Sequence, residues 1–154
     1  MIERIVQLLT GAEFELSADR PDELQVAVAA LLVEAARVND RFDASKRQVI
    51  ERLLTSHFGL SPDASVALLT AAEDAVRRST QLFRFTEIVA RRLAPEDRAK
   101  IVEILWQVVY ADGRLDPEED AFLRRIGALI GVADAERVQA RRHVLRHVGQ
   151  IEPA

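Results

Sequence analysis

The densest chemistry in the sequence lies at Asp112-Gly113-Arg114-Leu115-Asp116-Pro117-Glu118-Glu119-Asp120, where five carboxylates surround one arginine. The charge of this run equals the net charge of −4 carried by the whole 154-residue chain. An oxygen-rich turn suits a hard divalent cation, Ca²⁺ or Mg²⁺, whose ligands are carboxylates, carbonyls and water. Part of the run has a simpler use. Asp116 at N-cap, Pro117 at N1 and Glu119 at N3 make a capping box, and acidic side chains suit the positive end of a helix. Asp112 falls before the glycine, outside that cap, where its charge adds repulsion unless something positive is bound. Gly113 permits a turn with positive φ, and Leu115 offers an apolar anchor to the core. In the register of an EF-hand loop, Asp112, Gly113, Asp116 and Glu119 would fall on positions 5, 6, 9 and 12. Positions 1 and 3 would then be Val108 and Tyr110, which carry no carboxylate, so the turn is not an EF-hand.

A second charged group lies near the C-terminus, where Arg137, Arg141, Arg142 and Arg146 accompany His143 and His147. The histidines are spaced to chelate a transition metal from one helix face, but the neighbouring cations oppose it, and a solvated basic face is expected. That face is also the best candidate for docking an acidic partner. His57, before Phe58-Gly59, reads as an aid to a helix C-terminus. Glu34, Glu103 and Gln107 interrupt apolar stretches and are expected on a narrow exposed strip or in structural pairs, since a buried carboxylate without a partner is costly. Trp106 and Tyr110 read as core. No Ser-His-Asp set, phosphate-cradling glycine loop or His-Glu-x-x-His motif is present, so a non-enzymatic role is expected.

The elements that must position these residues are helices. Glycines number six and prolines five, aromatics are 5%, and apolar residues recur at helical spacing. Hydrophobic residues at 49% and charged residues at 30% describe one ordinary globular domain, with residues 21–148 as its core. Zero cysteines exclude disulfides, thiolate metal sites and thiol nucleophiles. The longest apolar run, Val26 to Val33, is far short of the ~20 residues of a bilayer span, and no secretory leader pattern is visible. A cytoplasmic protein is expected, with no nucleic-acid partner given the acidic balance and with peripheral association with a membrane complex left open.

Seven to eight helices are expected. A short one over 2–9 carries Ile2, Ile5, Val6, Leu8 and Leu9 on one face. A second follows Pro21, placed in its first turn, and runs to residue 38. A third is capped by Asp43 and stops at Gly59, and a fourth opens at Ser61-Pro62. Others span 81–93, 95–110, 117–130 and 134–148. The stretches 26–38 and 101–111 are apolar nearly all round and belong at the centre of a compact bundle. They also begin an internal repeat. Asn39-Asp40-Arg41-Phe42-Asp43 aligns with Asp112-Gly113-Arg114-Leu115-Asp116, each after an apolar helix and before an amphipathic one, and Gly59 aligns with Gly131. Two copies related by a pseudo-two-fold axis are expected.

The Asp-Gly-x-apolar-x-x-x-Glu pattern of Asp112, Gly113, Leu115 and Glu119, set between those helices, resembles the signature of the tellurite-resistance TerB-like family. The resemblance implies an all-α domain of paired helical halves, acidic metal-binding turns and a role in bacterial stress response through binding. Asp112, Asp116 and Glu119 inherit the metal-ligand role. In the N-terminal copy Asn39 and Asp43 correspond to Asp112 and Asp116, but Lys46 stands where the glutamate would be. The expected function is a non-enzymatic module that binds a divalent cation weakly and docks a protein. The alternative is a structural adaptor whose acidic turn is only a helix cap.

Overall fold

The computed structural model describes residues 22–38, 43–78, 82–111 and 115–147. Seven helices run through them in the order α1 (Glu23–Ala36), α2 (Ala44–Phe58), α3 (Pro62–Arg78), α4 (Leu82–Arg92), α5 (Pro95–Val109), α6 (Pro117–Leu129) and α7 (Asp134–His147). No strand occurs among the described residues. The helix expected over 2–9 and the repeat residues 39–42 and 112–114 lie outside them.

Local sequence sets the helix ends. Asp43 accepts the N–H of Lys46 at 3.0 Å to start α2, and Gly59 ends it in the left-handed region at φ 67°. Ser61 Oγ accepts the N–H of Ala64 at 3.1 Å at the start of α3. One start differs from expectation. Asp22, not a first-turn proline, opens α1: its side chain accepts the N–H of Leu24 at 2.9 Å, and Gln25 Oε1 accepts the N–H of Asp22 at 3.1 Å. A capping box satisfies two backbone donors at once, and Pro21 lies outside the described residues.

The two apolar helices are central. In α1 every residue from Ala27 to Val33 is buried, as are Ala35 and Ala36, and in α5 Ile101, Val102, Ile104, Leu105, Trp106, Val108 and Val109 are buried. Each fully buried aliphatic side chain contributes roughly 1.5–3 kcal/mol, so these helices hold the bundle together. α1 packs on α3, α4 and α5, while α5 packs on α7. Small residues such as Ala27, Ala29 and Ala30 let α1 meet neighbours on all sides. In α4 Phe83 faces solvent with 59% of its surface exposed, while Phe85, Ile88 and Val89 form the buried side.

Candidate cation site and its neighbours

The acidic turn leads from the end of α5 into α6. Asp116 is the N-cap of α6, and its Oδ1 accepts the N–H of Glu119 at 3.0 Å while Glu119 Oε1 accepts the N–H of Asp116 at 3.2 Å. Pro117 occupies the first turn, where its missing N–H costs nothing. Glu119 is buried at 1% exposure, and Leu115 packs against the core. The structure therefore brings Asp116 and Glu119 together, and the cap accounts for one oxygen of each. Asp112 and Asn39 lie outside the described residues, and Asp43 belongs to the other turn. No group of three or more potential metal-ligating side chains occurs among the described residues.

The α1–α2 turn has the same aspartate N-cap with the opposite charge at N3. Lys46 holds the N3 place of α2, as Glu119 does in α6, and is likewise buried. Its Nζ donates to the carbonyl of Ala36 at 3.1 Å, at the C-terminal end of α1. An ammonium there meets the negative end of the helix dipole. The sequence places a lysine at this position but not its burial. Its aliphatic stem covers apolar surface while the ammonium caps the carbonyl.

The arginines of α7 depart from the expected basic face. Arg137, Ala140, Arg141, Val144 and Leu145 share the inward stripe, because the i, i+3, i+4, i+7 face toward α5 begins at Arg137 rather than at the apolar Val138. Arg137 is 6% exposed and its Nη1 lies 3.9 Å from Asp120 in the first turn of α6, so it attaches to the acidic run instead of opposing it. Its backbone carbonyl accepts the indole N–H of Trp106 at 3.1 Å. Arg141 Nε donates to the Tyr110 hydroxyl at 2.8 Å, and its guanidinium lies over the stacked Trp106 and Tyr110 rings, 5.7 and 6.0 Å from their centroids. Arg142 and Arg146 are exposed.

The polar residues of the central helices are paired or partly wet. Glu103 lies 3.4 Å from His143 Nε2 and 3.5 Å from Lys100, and Gln107 Oε1 is 3.2 Å from His57 Nε2. His57 thus ties the end of α2 to α5, beyond the capping aid expected of it. Glu34 is half-buried, and burial raises its carboxyl above the ordinary range while the nearby Arg37 lowers it. Asp97, fully buried, was not singled out in the sequence. It precedes Ile101 by one turn on the buried stripe of α5, and that spacing was the available signal.

The fold and site define an all-α bundle with two apolar central helices, each leading into a capped turn. The sequence matches the family described as tellurite resistance protein TerB over residues 25–142, and the chain belongs to that family. A comparison with curated proteins gives no match. Among solved structures, the crystal structure of a protein of unknown function from Porphyromonas gingivalis is similar at 17% identity with a TM-score of 0.59, covering 84% of this chain and 92% of that one. That likeness concerns the fold. No helix among the described residues is long and apolar enough to cross a membrane.

Proposed function

We propose that the protein is a non-enzymatic TerB-type module that binds a divalent cation, Ca²⁺ or Mg²⁺, weakly in its α5–α6 turn and docks a protein partner in a bacterial response to tellurite-type stress. The observation that carries the reading is the contrast between the two turns. Asp43 and Lys46 balance each other's charge, and the ammonium reaches the end of α1. Asp116 and Glu119 occupy the same N-cap and N3 places with two negative charges, and Asp112 adds a third in sequence. A divalent cation offsets the repulsion that a lysine offsets in the other turn. The donor set fits such an ion, since carboxylate oxygens suit Ca²⁺ and Mg²⁺ and a small number of protein ligands leaves a partly hydrated shell. Affinity on the order of 10⁻⁴ to 10⁻³ M follows, as in low-affinity calcium modules. Asp112, Asp116 and Glu119 would hold the ion, while Asn39 and Asp43, beside Lys46, would bind far more weakly.

The second reading, a structural adaptor, is favoured by the completed capping box at Asp116 and Glu119, which gives both residues a role without any ion. Amide NMR during Ca²⁺ titration separates the two. Cation binding shifts residues 115–120 ahead of residues 43–47, and Asp112→Asn abolishes the shift. No movement at millimolar Ca²⁺ or Mg²⁺ leaves the turn as a cap. Of the arginines, Arg142 and Arg146 remain for an acidic partner, with placement in the cytoplasm consistent with a cysteine-free chain.

A further inference from the structure

Helices α1, α3 and α4 enclose a groove of about 350 Å³, and no residue of the acidic turn lines it. Val26 and Ala27 of α1, Ala75 of α3, and Phe85 and Ile88 of α4 supply its apolar walls. Ala27, Phe85 and Ile88 are buried, so the floor is continuous with the core, while Val26 and Ala75 are only partly covered. Alanines on two of the three helices leave open a space that longer side chains would fill. The rim carries Glu23, Asp74, Arg78 and Arg84. Three of these charges are matched within the protein: Asp74 lies 3.1 Å from Arg78 and 3.5 Å from Arg77, and Glu23 lies 3.7 Å from Arg91. Arg84 is exposed and forms no ion pair among the described residues. It stands in the first turn of α4, where the helix dipole also favours a negative group.

We propose that this groove binds a free alkyl carboxylate of the fatty-acid class, its chain laid against Val26, Ala27, Ala75, Phe85 and Ile88 and its carboxylate on Arg84. Size selects a small molecule over a docked helix. A helix with its side chains is about 10–12 Å across, whereas the groove volume falls at the small end of the roughly 300–1,000 Å³ typical of small-ligand pockets. Composition selects an amphiphile, since the walls are apolar and the polar groups are confined to the rim. Charge selects an anion. With the other rim charges paired, the Arg84 guanidinium is the group left to be met, and its planar fork matches a carboxylate with two parallel hydrogen bonds. The inference uses no residue of the α5–α6 turn, so it stands or falls separately from cation binding.

The test is an amide NMR titration of the full chain with decanoate below its critical micelle concentration, with decanol as the neutral counterpart. Amides of 23–27, 74–78 and 84–88 are expected to shift along one saturable curve. Arg84→Glu is expected to weaken decanoate by about threefold or more, as loss and reversal of an exposed ion pair, and to leave decanol unchanged. Ala75→Trp fills the groove and is expected to remove the response to both. Shifts scattered over the surface without saturation overturn the site, as does decanol bound equally well by Ala75→Trp. Equal decanoate affinity in the wild type and Arg84→Glu overturns the place given to the carboxylate. A wild type that responds to vesicles of anionic phospholipid but not to decanoate overturns a free ligand in favour of a membrane surface. Circular dichroism melting checks that Ala75→Trp is folded, and Arg84→Glu, on an exposed side chain, keeps the test decisive if it is not.

Discussion

Lys46 reaches from the first turn of α2 to the last turn of α1 and donates to the Ala36 carbonyl at 3.1 Å, so a side chain of the protein itself ties the two helices together. A charged hydrogen bond of this kind is worth about 1.5–3 kcal/mol when buried. Lys46→Met keeps most of the stem and removes the ammonium. It is expected to cost about 1–3 kcal/mol in urea unfolding, and a loss below about 0.5 kcal/mol would mean the contact contributes little.

Trp106 is fully buried and donates its indole N–H to the Arg137 backbone carbonyl, so it ties α5 to α7 by both packing and a hydrogen bond. Trp106→Ala is expected to cost roughly 3–5 kcal/mol. Trp106→Phe retains much of the packing and leaves the Arg137 carbonyl without this donor, for a smaller loss of about 1–3 kcal/mol. Chemical denaturation of the two variants checks the order: equal losses would contradict the packing contribution of the ring, and an unchanged Trp106→Phe would contradict that of the hydrogen bond.

Gly131 sits at φ 77°, and a Cβ there would lie 2.9 Å from Arg98 Nη1, which donates to the Ile130 carbonyl at 2.7 Å. Gly131→Ala forces both an unfavourable backbone region and displacement of that guanidinium. A loss of about 1–2 kcal/mol is expected, and thermal melting that leaves stability unchanged would show that the junction of α6 and α7 relaxes freely.

Glu34 carries a pH-dependent cost. Burial raises its folded pKa above the ordinary value of 4.5, so the folded state binds its proton more tightly than the unfolded chain. The carboxyl therefore favours the fold when protonated, and stability falls as pH rises through the interval from the unfolded to the folded pKa. Glu34→Gln is expected to raise stability at neutral pH relative to wild type, with the difference vanishing below about pH 4. Urea unfolding at both pH values checks the sign. A destabilised Glu34→Gln at neutral pH would show that the ionised carboxylate is held by a favourable partner.

Much of the fold was legible because its signals are local. Asp43 as N-cap, Gly59 as C-cap, Ser61-Pro62 as a helix start and the all-round apolarity of α1 and α5 each act within a few residues, and the structure shows each of them. The inward turn of Arg137 and Arg141 was not legible. A wheel built on apolar residues assigns arginines to solvent, whereas Arg137 packs beside the bare face of Gly127 and Arg141 covers two aromatic rings. Those partners come from α5 and α6, brought near only by the tertiary fold. The acidic turn was legible as a cap, and Asp116 and Glu119 form it, while Asp112 carries its meaning from sequence alone.

The most direct measurement of cation binding uses the single tryptophan and single tyrosine of the chain, Trp106 and Tyr110, both at the end of α5 that leads into the acidic turn. Tb³⁺ takes Ca²⁺-type oxygen ligands and emits when a nearby excited aromatic ring transfers energy to it. Sensitised Tb³⁺ emission is expected on titration of the full chain, displaced by Ca²⁺ on the order of 10⁻⁴ to 10⁻³ M and lost in Asp112→Asn. Absent emission, or emission that Ca²⁺ does not displace and Asp112→Asn does not reduce, would contradict a cation site in the α5–α6 turn.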